Sequence, residues 1–250
     1  MANENIKISN RGPAAAVDQA TFDAGLRAHM LRVYNYMASG LALSGIVAFA
    51  LFSSPDLAGI FFQVAPGNRV VGLNILGWVA ILAPLGLLLL TSFRAARMSL
   101  TSVQAVYWAV TALMGVSLSL LLFTYTGASV ARTFFVTAAA FGALSIYGYT
   151  TRRDLTAVGK FLFMGLVGLV LASIVNMIWP SGMMSFVISA AGVLIFSGLI
   201  AVDTQKIKEQ YAAAWGSEAA RKVAIFGALS LYLDFVNLFQ FLMSFLGQRR

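Results

Sequence analysis

The chain has 250 residues, of which 60% are hydrophobic and only 10% charged, with a mean hydropathy of +0.84 and a formal charge of +8. A water-soluble protein of this size carries roughly a quarter of its residues as charges, so a soluble domain is excluded. Cysteine is absent and there is one histidine, His29, which excludes disulfides, thiolate-held zinc or iron–sulfur clusters and nearly every site that needs two imidazoles.

Residues 1–28 are polar and mixed in charge, with Gly12-Pro13 as a breaker. They are expected to form a flexible cytoplasmic tail ahead of a membrane domain at 29–250. No short apolar region precedes a small-residue cleavage site, so this is not read as a signal peptide.

Seven apolar segments follow, near residues 31–52, 70–92, 103–123, 132–150, 160–179, 184–203 and 223–246. Each is about 20 residues, the length needed to cross a hydrocarbon slab of about 30 Å. Backbone groups in lipid must be satisfied within the segment, which demands helix. The fold class is therefore an all-α integral membrane protein with seven transmembrane helices. Breakers such as Ser53-Ser54-Pro55-Asp56, Pro66-Gly67-Asn68-Arg69 and Trp179-Pro180-Ser181-Gly182 separate them.

With the N-terminus inside, 13 of the 17 Lys and Arg residues fall on the cytoplasmic side. The basic residues thus speak for membrane orientation rather than nucleic-acid binding. Arg249 and Arg250 are the discordant pair, because seven full spans put them outside.

The last segment carries Asp234 near its middle, in Leu231-Tyr232-Leu233-Asp234-Phe235. A carboxylate at that depth costs several kcal/mol unless it is paired, protonated or wetted. Asp203 ends the sixth segment. A hairpin turn centred on Gly216-Ser217 puts Ser230 across from Asp203, with Asp234 about one helical turn (roughly 5–6 Å) deeper. Helix tilt or a later turn closes that gap; without either, the two stay apart.

Ser230, Asp234, Asn237 and Ser244 share one helix face, with Gln240 beside them. Such a stripe faces protein or a water-filled cavity, making the seventh helix a candidate for the centre of the bundle. For Asn237, Gln240 and the serines, interhelical hydrogen bonding is the plainer reading. For Asp234 it is not, since a buried carboxylate is a costly way to join helices. Asp56 and Asp154 read as solvated turn residues.

Two aspartates sharing a site cannot both ionise cheaply, so one pKa rises and the pair titrates as a unit. Fully ionised, they form an oxygen-rich site suited to a hard cation such as Ca²⁺, bound in passing. Catalysis is not expected. Leu-Tyr-Leu-Asp lacks the Gly-x-Gly-Asp of aspartyl intramembrane proteases, Ile195-Phe196-Ser197-Gly198 lacks the first Gly of the serine type, and no His-Glu-x-x-His is present. No cofactor is called for.

Val202-Asp203-Thr204-Gln205-Lys206-Ile207 and Leu231 through Phe239 resemble the two C-terminal signatures of the Bax inhibitor-1 family. Phe141 through Thr150, Asp154-Leu155-Thr156, Gly159-Lys160-Phe161-Leu162 and Met114 through Ser119 fit the same family, so the likeness runs from about residue 30 to 246. The resemblance implies a seven-helix bundle with the last helix central. It also implies a pH-sensitive calcium leak in a bacterial inner membrane, controlled by Asp203 and Asp234. An arginine from the second span, Arg94 or Arg97, is implied as a closed-state latch. The alternative it offers is an interaction protein that modulates a membrane-anchored ATP-dependent protease or a stress pathway without transport.

Overall fold

The computed structural model describes residues 13–66, 69–94, 97–214 and 219–250, with side chains from residue 21 onward except that of residue 213. The proposed turn at Gly216-Ser217 lies outside the described residues. Eight helices and a two-stranded hairpin are present among them: α1 (Pro13–Ser53), α2 (Pro55–Phe61), β1 (Phe62–Ala65), β2 (Arg69–Leu73), α3 (Ile75–Arg94), α4 (Leu100–Thr124), α5 (Gly127–Thr150), α6 (Thr156–Ile178), α7 (Gly182–Ala214) and α8 (Ala219–Leu246). Seven are long and apolar enough to cross a membrane, all but α2. The chain is an all-α membrane protein.

Three boundaries differ from the expected ones. The first helix starts at Pro13, so residues 13–28, expected within a flexible tail, are helical. Proline suits a first helical turn and Ala14-Ala15-Ala16 propagates it. The helix is also held from outside: the Phe22 ring lies 5.8 Å from Tyr211 of α7, and His29, buried, lies 4.7 Å from the same ring.

The second span starts at Ile75 rather than 70, because Arg69 to Leu73 pair with Phe62 to Ala65 as antiparallel strands. β-Branched valines favour that extended state. Asn74 then ties α2 to the start of α3: its Oδ1 accepts from Gly77 N at 2.9 Å and its Nδ2 donates to Ile60 O at 2.7 Å.

The sixth span does not stop at Asp203 but runs on to Ala214. Thr204, Ile207 and Tyr211 are buried at helical spacing, so this polar-looking stretch is amphipathic and docked. Gln205 donates to Arg153 O at 2.8 Å and accepts from Leu155 N at 2.9 Å, and Lys208 donates to Tyr149 O at 2.8 Å. These contacts hold α7 to the α5–α6 turn.

The last helix occupies the centre. Of its most apolar window 61% is buried, against 6–33% for the other six spans. It packs against α1, α4, α5 and α7. The hydroxyls of Tyr232 and Ser44 meet at 2.6 Å where α8 crosses α1, and Ser44 donates to Thr111 O of α4 at 2.7 Å. By contrast, α6 is a peripheral helix packed mainly on α7.

Beyond Leu246 the chain turns back on the α4–α5 connection. Thr126 N donates to Gln248 O at 2.9 Å, Arg250 N to Thr124 O at 3.1 Å, and Arg250 Nε to Tyr125 O at 3.0 Å. The Arg250 guanidinium stands 4.8 Å over the Phe52 ring. Both C-terminal arginines therefore sit at the β-hairpin end of the bundle, and α8 crosses it in full.

Candidate functional site at the α7–α8 hairpin

The helical hairpin of α7 and α8 brings the two aspartates together. Its register is fixed by close packing of Gly227 on Ile207. One turn deeper, the Ser230 hydroxyl is in hydrogen-bonding reach of Asp203. Asp234 lies one further turn along α8, close enough for the charge of Asp203 to act on its carboxyl group. Asp203 is half-buried, whereas Asp234 is buried with no hydrogen-bond partner for its Oδ2.

Lys206 completes the group, one turn beyond Asp203 on α7. Its side chain is exposed, and its charge acts on both carboxyl groups from there. Sequence reasoning missed this residue because it ended the sixth span at Asp203. Spacing of i and i+3 on a continued helix puts both side chains on one face.

A cavity of about 660 Å³ opens beside the pair between α3, α7 and α8, lined among others by Thr91, Ser92, Asp203, Lys206 and Ser230. A second, of about 590 Å³, lies between α6 and α7 and is lined in part by Lys160, Gln205 and Glu209. Asp203 and Lys206 line both. Neither Arg94 nor Arg97 lines either cavity, and both are exposed. Among the described residues, the cation that lines both cavities is Lys206, itself exposed.

The rest of the predicted stripe behaves differently. Asn237 donates to Leu233 O of its own helix at 2.8 Å and lines a separate cleft with Ser173 and Phe241, away from the pair. Ser244 donates to Gln240 O at 3.3 Å. Gln240 is half-buried and lines neither cavity at the pair. Of that stripe, only Ser230 and Asp234 belong to the site.

A buried hydroxyl chain adjoins it. Tyr34 Oη meets Ser145 Oγ at 2.7 Å, and Ser145 Oγ meets Thr204 Oγ1 at 3.0 Å. Thr204 is fully buried and next to Asp203 in sequence. Joining α1, α5 and α7 at this level, the chain makes the wall of the site rigid. At the α5–α6 turn, Asp154 accepts from the backbone and side chain of Thr156, and this holds its carboxyl below the usual carboxylate range. Among the described residues no group of three or more His, Cys, Asp or Glu side chains is placed to hold a resident metal. The arrangement offers two carboxyl groups, one ammonium and a cavity of mixed polar and apolar lining.

Similar proteins share this whole domain. A protein of Caulobacter vibrioides is 49% identical over 246 residues, covering 96% of this chain and 98% of its own. The Rickettsia prowazekii protein RP147 is 46% identical over 230 residues, 92% of this chain and 93% of its own. The inner membrane protein YbhL of Escherichia coli K12 is 40% identical over 229 residues, 91% of this chain and 94% of its own. The family described as "Inhibitor of apoptosis-promoting Bax1" matches residues 26–250, and the chain belongs to this Bax inhibitor-1 family.

Proposed function

We propose that this protein is a pH-sensitive calcium leak channel of a bacterial inner membrane, without enzymatic activity, in which Asp203 and Asp234 are the switch. The observation that carries the reading is a buried Asp234 within electrostatic reach of a half-buried Asp203, which lines a cavity together with Lys206, Thr91, Ser92 and Ser230 in a membrane bundle. Glue between helices needs no such costly group. The inner-membrane placement rests on the likeness to YbhL.

Orientation follows from charge. The helix ends at 94, 100, 150, 156, 214 and 219 share one end of the bundle, and Arg94, Arg97, Arg152, Arg153, Lys160, Lys206, Lys208, Arg221 and Lys222 cluster there. Basic clustering of this kind is typical of a cytoplasmic face and supports the reading that the N-terminus lies inside. Ca²⁺ is substrate here, held transiently by the two carboxylates as it passes.

In the closed state the pair shares a proton and faces Lys206. Loss of that proton leaves two like charges against one ammonium, and the repulsion parts α7 from α8. Leak therefore rises with pH.

Calcium flux into proteoliposomes across a pH series tests this. Wild type should leak more as pH rises, and Asp234→Asn should leak at a level that pH does not change. An identical, pH-independent leak in both proteins would overturn the reading. No leak in either would favour the regulator of a membrane-anchored protease instead.

A further inference from the structure

The buried face of α5 carries Ser129, Thr133, Thr137, Phe141 and Ser145, each four residues after the last. At one extreme Ser129 holds the chain end: its Oγ donates to Leu246 O at 3.0 Å and accepts from Gln248 N at 2.9 Å. At the other, Ser145 joins the hydroxyl chain to Thr204, next to Asp203. Between them, Thr137 donates to Thr133 O at 2.8 Å. The Thr133 hydroxyl is fully buried and has no hydrogen-bond partner.

That orphan hydroxyl needs a reason. Burying one without a partner costs about 1–3 kcal/mol relative to pairing it, and valine would fill the same volume without the cost. A buried polar group left open in a native bundle calls for a reason, and receiving a water or an ion is one that its chemistry allows.

Helix register says where the stripe leads. α5 and α8 run antiparallel, with Ser129 meeting Leu246, Phe134 meeting Phe239, and Phe141 meeting Phe235. Phe235 also meets Phe134, so Asp234 lies within about one helical turn of the level of Phe141. From there to the β-hairpin end the buried residues of α8 are Phe235, Val236, Leu238, Phe239 and Met243, all apolar. That half of α8 offers no buried polar side chain, while α5 presents two threonine hydroxyls at the same depth.

We infer that Thr133 and Thr137 form the polar track along which a cation and its water pass between Asp234 and the β-hairpin end, with Phe141 closing the track in this state. The inference deepens the leak reading above and rests on it for the identity of the cation. Phe141 is 8% exposed and packs edge-on to Phe235, ring centroids 5.7 Å apart, at the level where the track reaches the pair.

The absence of native cysteine allows a test that does not depend on transport. Thr133→Cys is reconstituted alone and with Phe141→Ala, and its reaction with a small cationic methanethiosulfonate is timed. Phe135→Cys, on the outward face at 71% exposure, is the comparison. The Phe141→Ala background should accelerate labelling at 133 at least tenfold and leave 135 unchanged. In parallel, Thr133→Val should cut calcium leak at least fivefold while Thr133→Ser retains it; Thr137→Val serves if Thr133→Val fails to elute as wild type. Labelling at 133 that ignores Phe141→Ala would overturn the inference. So would a leak abolished by Asp234→Asn but indifferent to both valine variants. If labelling accelerates as expected and the wild type passes no calcium, the water track stands and the leak reading of the pair fails.

Discussion

Gly227 of α8 packs directly on Ile207 of α7, so that a Cβ added to the glycine would stand 2.8 Å from Ile207 Cγ1. Cγ1 is an inner atom of a buried side chain and has little room to retreat. Gly227→Ala should therefore lower stability in detergent by about 1–3 kcal/mol, the usual cost of overpacking. Gly45→Ala, where a Cβ would meet nothing within 4 Å, should leave the melting temperature unchanged. Equal melting temperatures for the two variants would show that the hairpin is not set by this contact.

The contact also explains how far the sequence could be read. Apolar length alone revealed seven spans, and the stripe around Asp234 pointed to a central last helix, because both are properties of single segments. The position of Ser230 across from Asp203 followed from counting back from a presumed turn, and that register is the one found. What counting could not deliver was the continuation of α7. Thr204-Gln205-Lys206 looks like the polar end of a span. Only the burial of Thr204, Ile207 and Tyr211 by neighbouring helices keeps it helical, and so brings Lys206 to the pair. The α5 hydroxyls were equally hidden, since isolated Ser and Thr in a membrane helix commonly bond their own backbone.

The Tyr232–Ser44 contact offers an asymmetric pair of substitutions. Tyr232→Phe removes one hydrogen bond and leaves Ser44 Oγ its carbonyl partners, Gly40 O at 2.9 Å and Thr111 O at 2.7 Å. The expected loss is about 0.6 kcal/mol, the average for hydrogen bonds inside membrane bundles. Ser44→Ala strands the Tyr232 hydroxyl, which is completely buried, and should cost about 1–3 kcal/mol. Unfolding titrations of both variants check the order; a larger loss for Tyr232→Phe would refute this account of the α1–α8 crossing.

Asp154 gives a pH dependence whose sign is fixed by geometry. Its carboxylate accepts from Thr156, so its folded pKa lies below its unfolded one. Its contribution to holding the α5–α6 turn is present above the unfolded pKa and is lost as pH falls through the folded pKa. Asp154→Asn keeps an acceptor oxygen for the Thr156 N–H but cannot titrate. Melting temperature followed from neutral to acid pH should show a fall in wild type that is shallower in Asp154→Asn. Parallel curves would mean that the turn gains nothing from the charge.

Lys206 separates two accounts of which cation sets the pH at which the carboxyl pair opens. Were the latch an arginine at the end of α3, Arg94→Gln or Arg97→Gln would open the leak, yet neither residue lines the cavities around the pair. Lys206 does, and its charge acts on both carboxyl groups. Removing an ammonium beside two carboxyl groups makes the second negative charge harder to create, so the switch needs a higher pH. In Lys206→Met the midpoint of the leak against pH should move alkaline by about one unit, within the range a neighbouring charge produces. Lys206→Arg, which keeps the charge, should restore the midpoint, and Arg94→Gln and Arg97→Gln should leave it where wild type has it. If either α3 variant moves the midpoint while Lys206→Met does not, the closed state is latched from α3 and Lys206 is a bystander.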